Sequence, residues 1–137
     1  MTIIAWNVRG LNAAEKQLAV FKFLKNHKPT MVGLLENKLS TAAIHNLRNK
    51  MNNSWSFLDN NICSCKGRIL VIWNNSTWQV EPTHMPSQHI SLNVVNSGGL
   101  KMKISFVYAS NFLRDRELLW AAISKESIYI DMPLSLI

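Results

Sequence analysis

The chain has 137 residues, 47% of them apolar and 17% charged, with 15 Lys and Arg against 8 Asp and Glu for a net charge of +7. That composition excludes wholesale disorder and fits one domain with a core, while the positive balance makes a polyanion a natural partner without choosing one. No apolar run approaches the roughly 18 residues of a membrane span, no secretory signal pattern opens the chain, and two cysteines one residue apart (Cys63, Cys65) build no disulfide framework, so a reducing compartment, nucleus or cytosol, is expected.

Thr2–Asn7 is short, β-branched and aromatic and ends near Gly10, which predicts a buried first strand. Over Ala13–Asn26, Ala14, Leu18, Phe21 and Leu24 recur at helical spacing with Glu15, Lys16, Lys22 and Lys25 opposite, and Pro29 marks the end. Met31–Leu35 is a five-residue apolar run fit for a buried strand, with Glu36 at its carboxyl end. Ser40 is placed to cap a second helix over about Thr41–Met51, its apolar side made by Ile44, Leu47 and Met51. Strands are predicted next at Trp55–Leu58, Arg68–Trp73, Trp78–Val80, Ile90–Val95 and Lys101–Tyr108. Asn60-Asn61, Asn74-Asn75, Pro82, Pro86 and Gly98-Gly99 separate them, the glycine pair marking a hairpin. Arg116–Ser124 reads as a last helix with Leu119, Ala122 and Ile123 on one side, and an apolar tail follows Ser127. This mixed order fits an α/β or α+β domain containing sheets. Residues 1–70 carry ten basic and three acidic side chains and residues 71–137 five of each, so the first half makes most of any electropositive surface.

Three polar residues close predicted strands: Asn7, Glu36 and Tyr108. Strand ends are where layered α/β folds gather side chains from distant parts of the chain. An amide oxygen and a carboxylate are hard ligands of the sort Mg²⁺ takes, and a phenol can donate to a phosphoryl oxygen. Lys38 adds positive charge beside Glu36. Taken singly, each residue has a plainer reading: a turn Asn, a solvated or paired Glu, a packed Tyr. His84 and His89 read as loop histidines, exposed or hydrogen-bonded, rather than catalytic ones. Cys63-x-Cys65 with those histidines is too closely spaced for a usual structural zinc site. Lys16, Lys22, Lys25 and Lys28 read as a solvated helix face. Arg9, Lys38, Lys66 and Arg68 are the better candidates for phosphate contacts.

The string Trp6-Asn7-Val8-Arg9-Gly10-Leu11-Asn12 resembles the opening motif of the endonuclease/exonuclease/phosphatase superfamily, in the form carried by endonuclease domains of plant LINE-type (non-LTR) retrotransposons. Gly33-Leu34-Leu35-Glu36-Asn37-Lys38-Leu39 is similar to the second motif, and Gly67-Arg68-Ile69-Leu70-Val71-Ile72-Trp73 to a central strand. Val107-Tyr108-Ala109-Ser110-Asn111 followed by Arg116-Glu117-Leu118-Leu119-Trp120 is similar to the tyrosine-bearing strand and the helix after it. The resemblance implies a DNase I-like four-layer α/β sandwich, present here in part and without its C-terminal strands, as a single domain over 1–137. It implies Mg²⁺-dependent phosphodiester cleavage, with Mn²⁺ as a substitute ion. Asn7 and Glu36 would hold the metal, Tyr108 would orient the scissile phosphate, and Asn111, Arg9, Lys38 and Arg68 would contact the DNA backbone. Arg9 stands where the repair-enzyme relatives carry Asp, as in retroelement relatives. The later Gly-Asp-x-Asn and Ser-Asp-His motifs are absent, and Asp131 lacks the neighbours that would make it a substitute. The expectation is an endonuclease fragment that is inactive as this chain. The alternatives are a non-catalytic nucleic-acid-binding remnant and a superfamily hydrolase of other phosphoesters.

Overall fold

The computed structural model describes residues 1–60, 68–128 and 132–137. Cys63, Cys65, Lys66, Gly67 and Asp131, discussed above, lie outside the described residues. The elements run β1 (Ile3–Asn7), α1 (Ala14–His27), β2 (Met31–Leu35), α2 (Thr41–Lys50), β3 (Trp55–Asp59), β4 (Ile69–Asn74), β5 (Trp78–His84), β6 (His89–Asn96), β7 (Lys101–Val107), α3 (Leu113–Ile128) and β8 (Leu134–Leu136). The strands form two four-stranded sheets, ordered β1-β2-β4-β3 and β5-β6-β7-β8. Among the described residues no helix is long and apolar enough to cross a membrane.

The period-2 alternation of the strands divides them between two cores. Val32 and Leu34 of β2 and Leu70 and Ile72 of β4 face α1 and α2, where Val20, Ile44 and Leu47 complete the first core. Met31, Ile69 and Val71 point the other way, against Trp78, Ile90, Leu92, Val94, Ile104 and Phe106 of the second sheet. Two sheets thus pack face to face with α1 and α2 on one outer side. His89, Ser91, Lys103 and Ser105 alternate with that inner face and are buried on the other side, where Glu126 of α3 meets His89 and Lys103. Helices, sheet, sheet and helix make four layers. Gly33 marks the close approach: a Cβ there would run into the Phe106 ring, so the absent side chain is what lets the sheets meet.

Several expectations change. β1 is an edge strand and only half-buried, because it pairs with β2 alone. Leu18 is 68% exposed, and the stripe of α1 is rotated so that Val20 is buried with Phe21 and Leu24 partly covered. Pro82 lies inside β5 rather than in a break. It is tolerated because β5 is an edge and the register shifts between Pro82 and His84. His84 ends one strand and His89 begins the next, so neither is a loop residue. The last helix runs Leu113–Ile128, longer at both ends than Arg116–Ser124. The apolar tail supplies β8, parallel to β7 through Lys103–Leu134, Ile104–Ser135 and Ser105–Leu136. Ser40 caps α2 as expected, its hydroxyl accepting from the Ala43 N–H at 3.1 Å. Gly99 (φ 83°) turns the β6–β7 hairpin. Lys16, Lys22, Lys25 and Lys28 are all exposed, a solvated face.

Candidate active site at the strand ends

β1 and β2 run parallel with Asn7 opposite Leu35, so Glu36, although distant in sequence, is one residue beyond Asn7's partner. The two exits stay stitched together by Val8 N–H to Leu35 O (3.0 Å), Gly10 N–H to Glu36 O (2.7 Å) and Leu11 N–H to Asn37 O (2.8 Å). Arg9, Glu36 and Lys38 all have left-handed backbone, with φ of 50°, 55° and 56°. Such conformations cost a side-chain-bearing residue free energy and cluster where the surrounding structure imposes them. Here three of them fall within two adjacent turns.

Asn7 Oδ1 accepts the Arg9 N–H at 3.1 Å. The Glu36 carboxyl is held below its usual value by a hydrogen bond from Lys38, aided by Asn7 and Tyr108, against the opposing effect of its desolvation. The Lys38 Nζ–Glu36 Oε1 distance is 3.2 Å. Tyr108, just beyond β7, is pushed up by burial and by the negative charge of Glu36, so its phenol keeps its proton and can donate. The Arg68 guanidinium lies 5.9 Å from the Tyr108 ring centroid.

These groups border an open cleft of about 200 Å³ lined by Glu36, Lys38, Arg68, Tyr108, Ser110, Asn111 and Phe112, with Ala109. The fold therefore brings Asn7, Glu36, Lys38, Arg68, Tyr108 and Asn111 to one end of the two sheets. Asn7 bonds Glu36 but is not in the cleft lining, and Arg9, exposed, is not part of that lining either. Its contribution here is the peptide N–H on Asn7.

The donor set suits a hard divalent ion. Glu36 is ionised at neutral pH and 24% exposed, and Asn7 Oδ1 retains a second lone pair beyond the one Arg9 uses. One carboxylate plus one amide oxygen suits Mg²⁺, which keeps water and phosphate in its remaining positions. Among the described residues no group of three or more His, Cys, Asp or Glu is arranged to hold a metal.

Sequence reading missed the residues that hold this cleft's far wall. Gln88 O accepts from Tyr108 N–H (2.8 Å), Gln88 Oε1 from Ser110 N–H (2.7 Å), and Gln88 Nε2 donates to Asp115 O (2.7 Å). Ser110 Oγ donates to Asp115 Oδ2 at 2.8 Å. Nothing local marks Gln88. The Ser110–Asp115 pair was legible as a helix start, but only with α3 begun at Leu113. His84 and His89 are absent from the cleft lining and meet Glu126 instead, at 3.6 and 2.8 Å.

The architecture defines a DNase I-like α/β sandwich. No family profile matches the sequence and no curated protein matches it. The fold is shared with solved members of the endonuclease/exonuclease/phosphatase family. A humanized D. rerio TDP2 aligns with TM-score 0.73 at 17% identity over 98% of this chain and 58% of that one. D. rerio TDP2 complexed with single strand DNA product aligns with TM-score 0.68 at 22% identity over 98% and 57%. An endonuclease/exonuclease/phosphatase family protein from Bacteroides thetaiotaomicron aligns with TM-score 0.72 at 10% identity over 99% and 62%. The chain thus spans about three-fifths of the length of each of these relatives.

Proposed function

We propose that this chain is part of a Mg²⁺-dependent DNA endonuclease of the retroelement type, which binds the phosphodiester backbone but does not cleave it unaided. The observation that carries the reading is the convergence of Asn7 and Tyr108, from two other strands, on the Glu36 carboxyl, which opens onto a cleft bordered by Arg68, Lys38 and Asn111. Glu36 and Asn7 are the protein ligands for Mg²⁺, or Mn²⁺ in its place. When bound, the ion would neutralise charge on the phosphoryl oxygens. Tyr108 donates its O–H to a phosphoryl oxygen, Asn111 contacts the strand backbone, and Arg68 and Lys38 supply positive charge. Arg9 and the Arg116–Trp120 segment support the retroelement assignment over a hydrolase of other phosphoesters.

Cleavage needs a group that takes the proton of the attacking water, worth orders of magnitude in rate. Among the described residues the cleft lining includes no His or Asp, and Glu36 is its one carboxylate. The purified chain should bind DNA with an affinity that falls steeply with salt and should leave supercoiled plasmid intact in Mg²⁺. Metal-dependent nicking that disappears in Glu36→Ala would overturn the inactivity. Binding indifferent to Arg68→Ala and Asn111→Ala would overturn the placement of the nucleic acid in this cleft.

A further inference from the structure

Building on that reading of the cleft, we infer that the Phe112 ring is a stacking platform for an unpaired nucleobase, so that the site takes single-stranded or frayed DNA in preference to closed duplex. Phe112 lines the cleft beside Asn111, yet it is 74% exposed. A ring left open to water on a mobile tip would mean little, but this ring stands on a pinned backbone. Phe112 N–H donates to Ser110 Oγ (3.2 Å), and Phe112 O accepts from Arg116 N–H (3.2 Å). Ser110 is in turn held by Gln88 and Asp115. The main chain is fixed on both sides while the aromatic face is free.

The chemistry of the same cleft selects the occupant. Arg68 and Lys38 share its lining with Phe112, and cations that follow a phosphate backbone beside an aromatic face are the combination by which proteins bind single strands. A base inside a closed duplex has both faces covered by its neighbours, whereas an unpaired base offers one to the ring. Gln88 and Asp115 are positioning residues for the platform, acting through Ser110.

The test measures binding of a labelled oligothymidylate of about 12 nucleotides, a duplex of equal length and an abasic strand of equal length, with the whole chain in low salt. Phe112→Ala should weaken oligothymidylate binding about fivefold or more. Phe112→Tyr and Phe112→Trp should restore it, and Phe112→Leu, which keeps apolar area without a π-face, should not. The abasic strand should be insensitive to all four variants, and the slope of affinity against salt should be unchanged in Phe112→Ala but reduced in Arg68→Ala. Equal binding by wild type and Phe112→Ala, with Arg68→Ala still weakened, overturns the platform while leaving the cleft reading intact. A Phe112→Ala variant that loses self-association without any change in DNA binding overturns it too, and makes the ring a protein contact. Absence of DNA binding by the wild type overturns the platform and the cleft reading together.

Discussion

Two acidic residues of this molecule sit among basic and hydroxyl-bearing partners, and the contrast between them separates a structural cluster from a functional one. Glu126 lies on the side of α3 that meets the second sheet, with its side chain only 7% exposed. Its carboxylate meets His89 Nε2 at 2.8 Å and His84 Nδ1 at 3.6 Å through one oxygen and Lys103 Nζ at 3.5 Å through the other. Ser91 and Ser105 bond each other close by at 2.7 Å. Every charge there has a partner supplied by β5, β6 or β7, so the cluster ties one helix to three strands. Glu36 sits at the opposite extreme. It is part-exposed, held by left-handed backbone, and opens onto a cleft. A saturated, closed set of charges has nothing left for a ligand; an open one does.

The contrast is broken or sharpened most strongly at Glu126. Glu126→Ala leaves Lys103 buried without its counter-charge and His89 without its hydrogen-bond partner, and should cost about 3–5 kcal/mol in urea unfolding, whereas Glu36→Gln should leave the urea midpoint unchanged. The pH dependence carries the same signature. Burial pushes Glu126 up, but the hydrogen bonds from His89 and Ser91 and the charges of His89 and His84 bring it below its ordinary value of 4.5. A group whose folded value is lowered contributes stability that is present above 4.5 and lost as pH falls below it through the folded value. Glu126→Gln should flatten that acid limb, and an unaltered limb would show that folding does not lower the Glu126 carboxyl below its ordinary value.

A smaller effect is expected at the sheet–sheet contact, which both regions share as their support. Gly33→Ala drives a methyl into the Phe106 ring and should cost about 1–3 kcal/mol by overpacking, read as a lowered midpoint with an unchanged m-value. The smallest effect, and the most specific, concerns the open carboxylate. Millimolar Mg²⁺ should raise the melting temperature of the wild-type chain slightly, as any ligand of the native state does, and should not raise that of Glu36→Gln. Equal shifts in both would remove Glu36 from the metal site.

Much of the fold was legible where its signals are local. The β2 run Met31–Leu35, the Ser40 cap and the Gly98-Gly99 turn each depend on residues a few positions apart. Asn7, Glu36 and Tyr108 could be singled out because polar residues closing apolar strands are visible without knowing which strands pair. Gln88 could not, since its roles come from Tyr108, Ser110 and Asp115, all twenty or more positions away. Glu126 with His84 and His89 was equally hidden: the histidines read as loop residues, and the carboxylate that meets them arrives on a helix predicted to end before it. Leu18 was misjudged because a helix stripe near 3.6-residue spacing can be drawn in two rotations, and only the sheet beneath decides which one is covered.

What the amino-acid order determined by itself is the alternation of strands and helices, the short apolar runs that make buried strands, and the excess of positive charge in the first half. Those follow from side-chain period and composition, which act over a few residues. The pairing of β1 with β2, the meeting of Glu36 with Tyr108 and the pinning of Phe112 were decided only when the sheets packed, because each joins groups whose separation along the chain carries no trace of their separation in space.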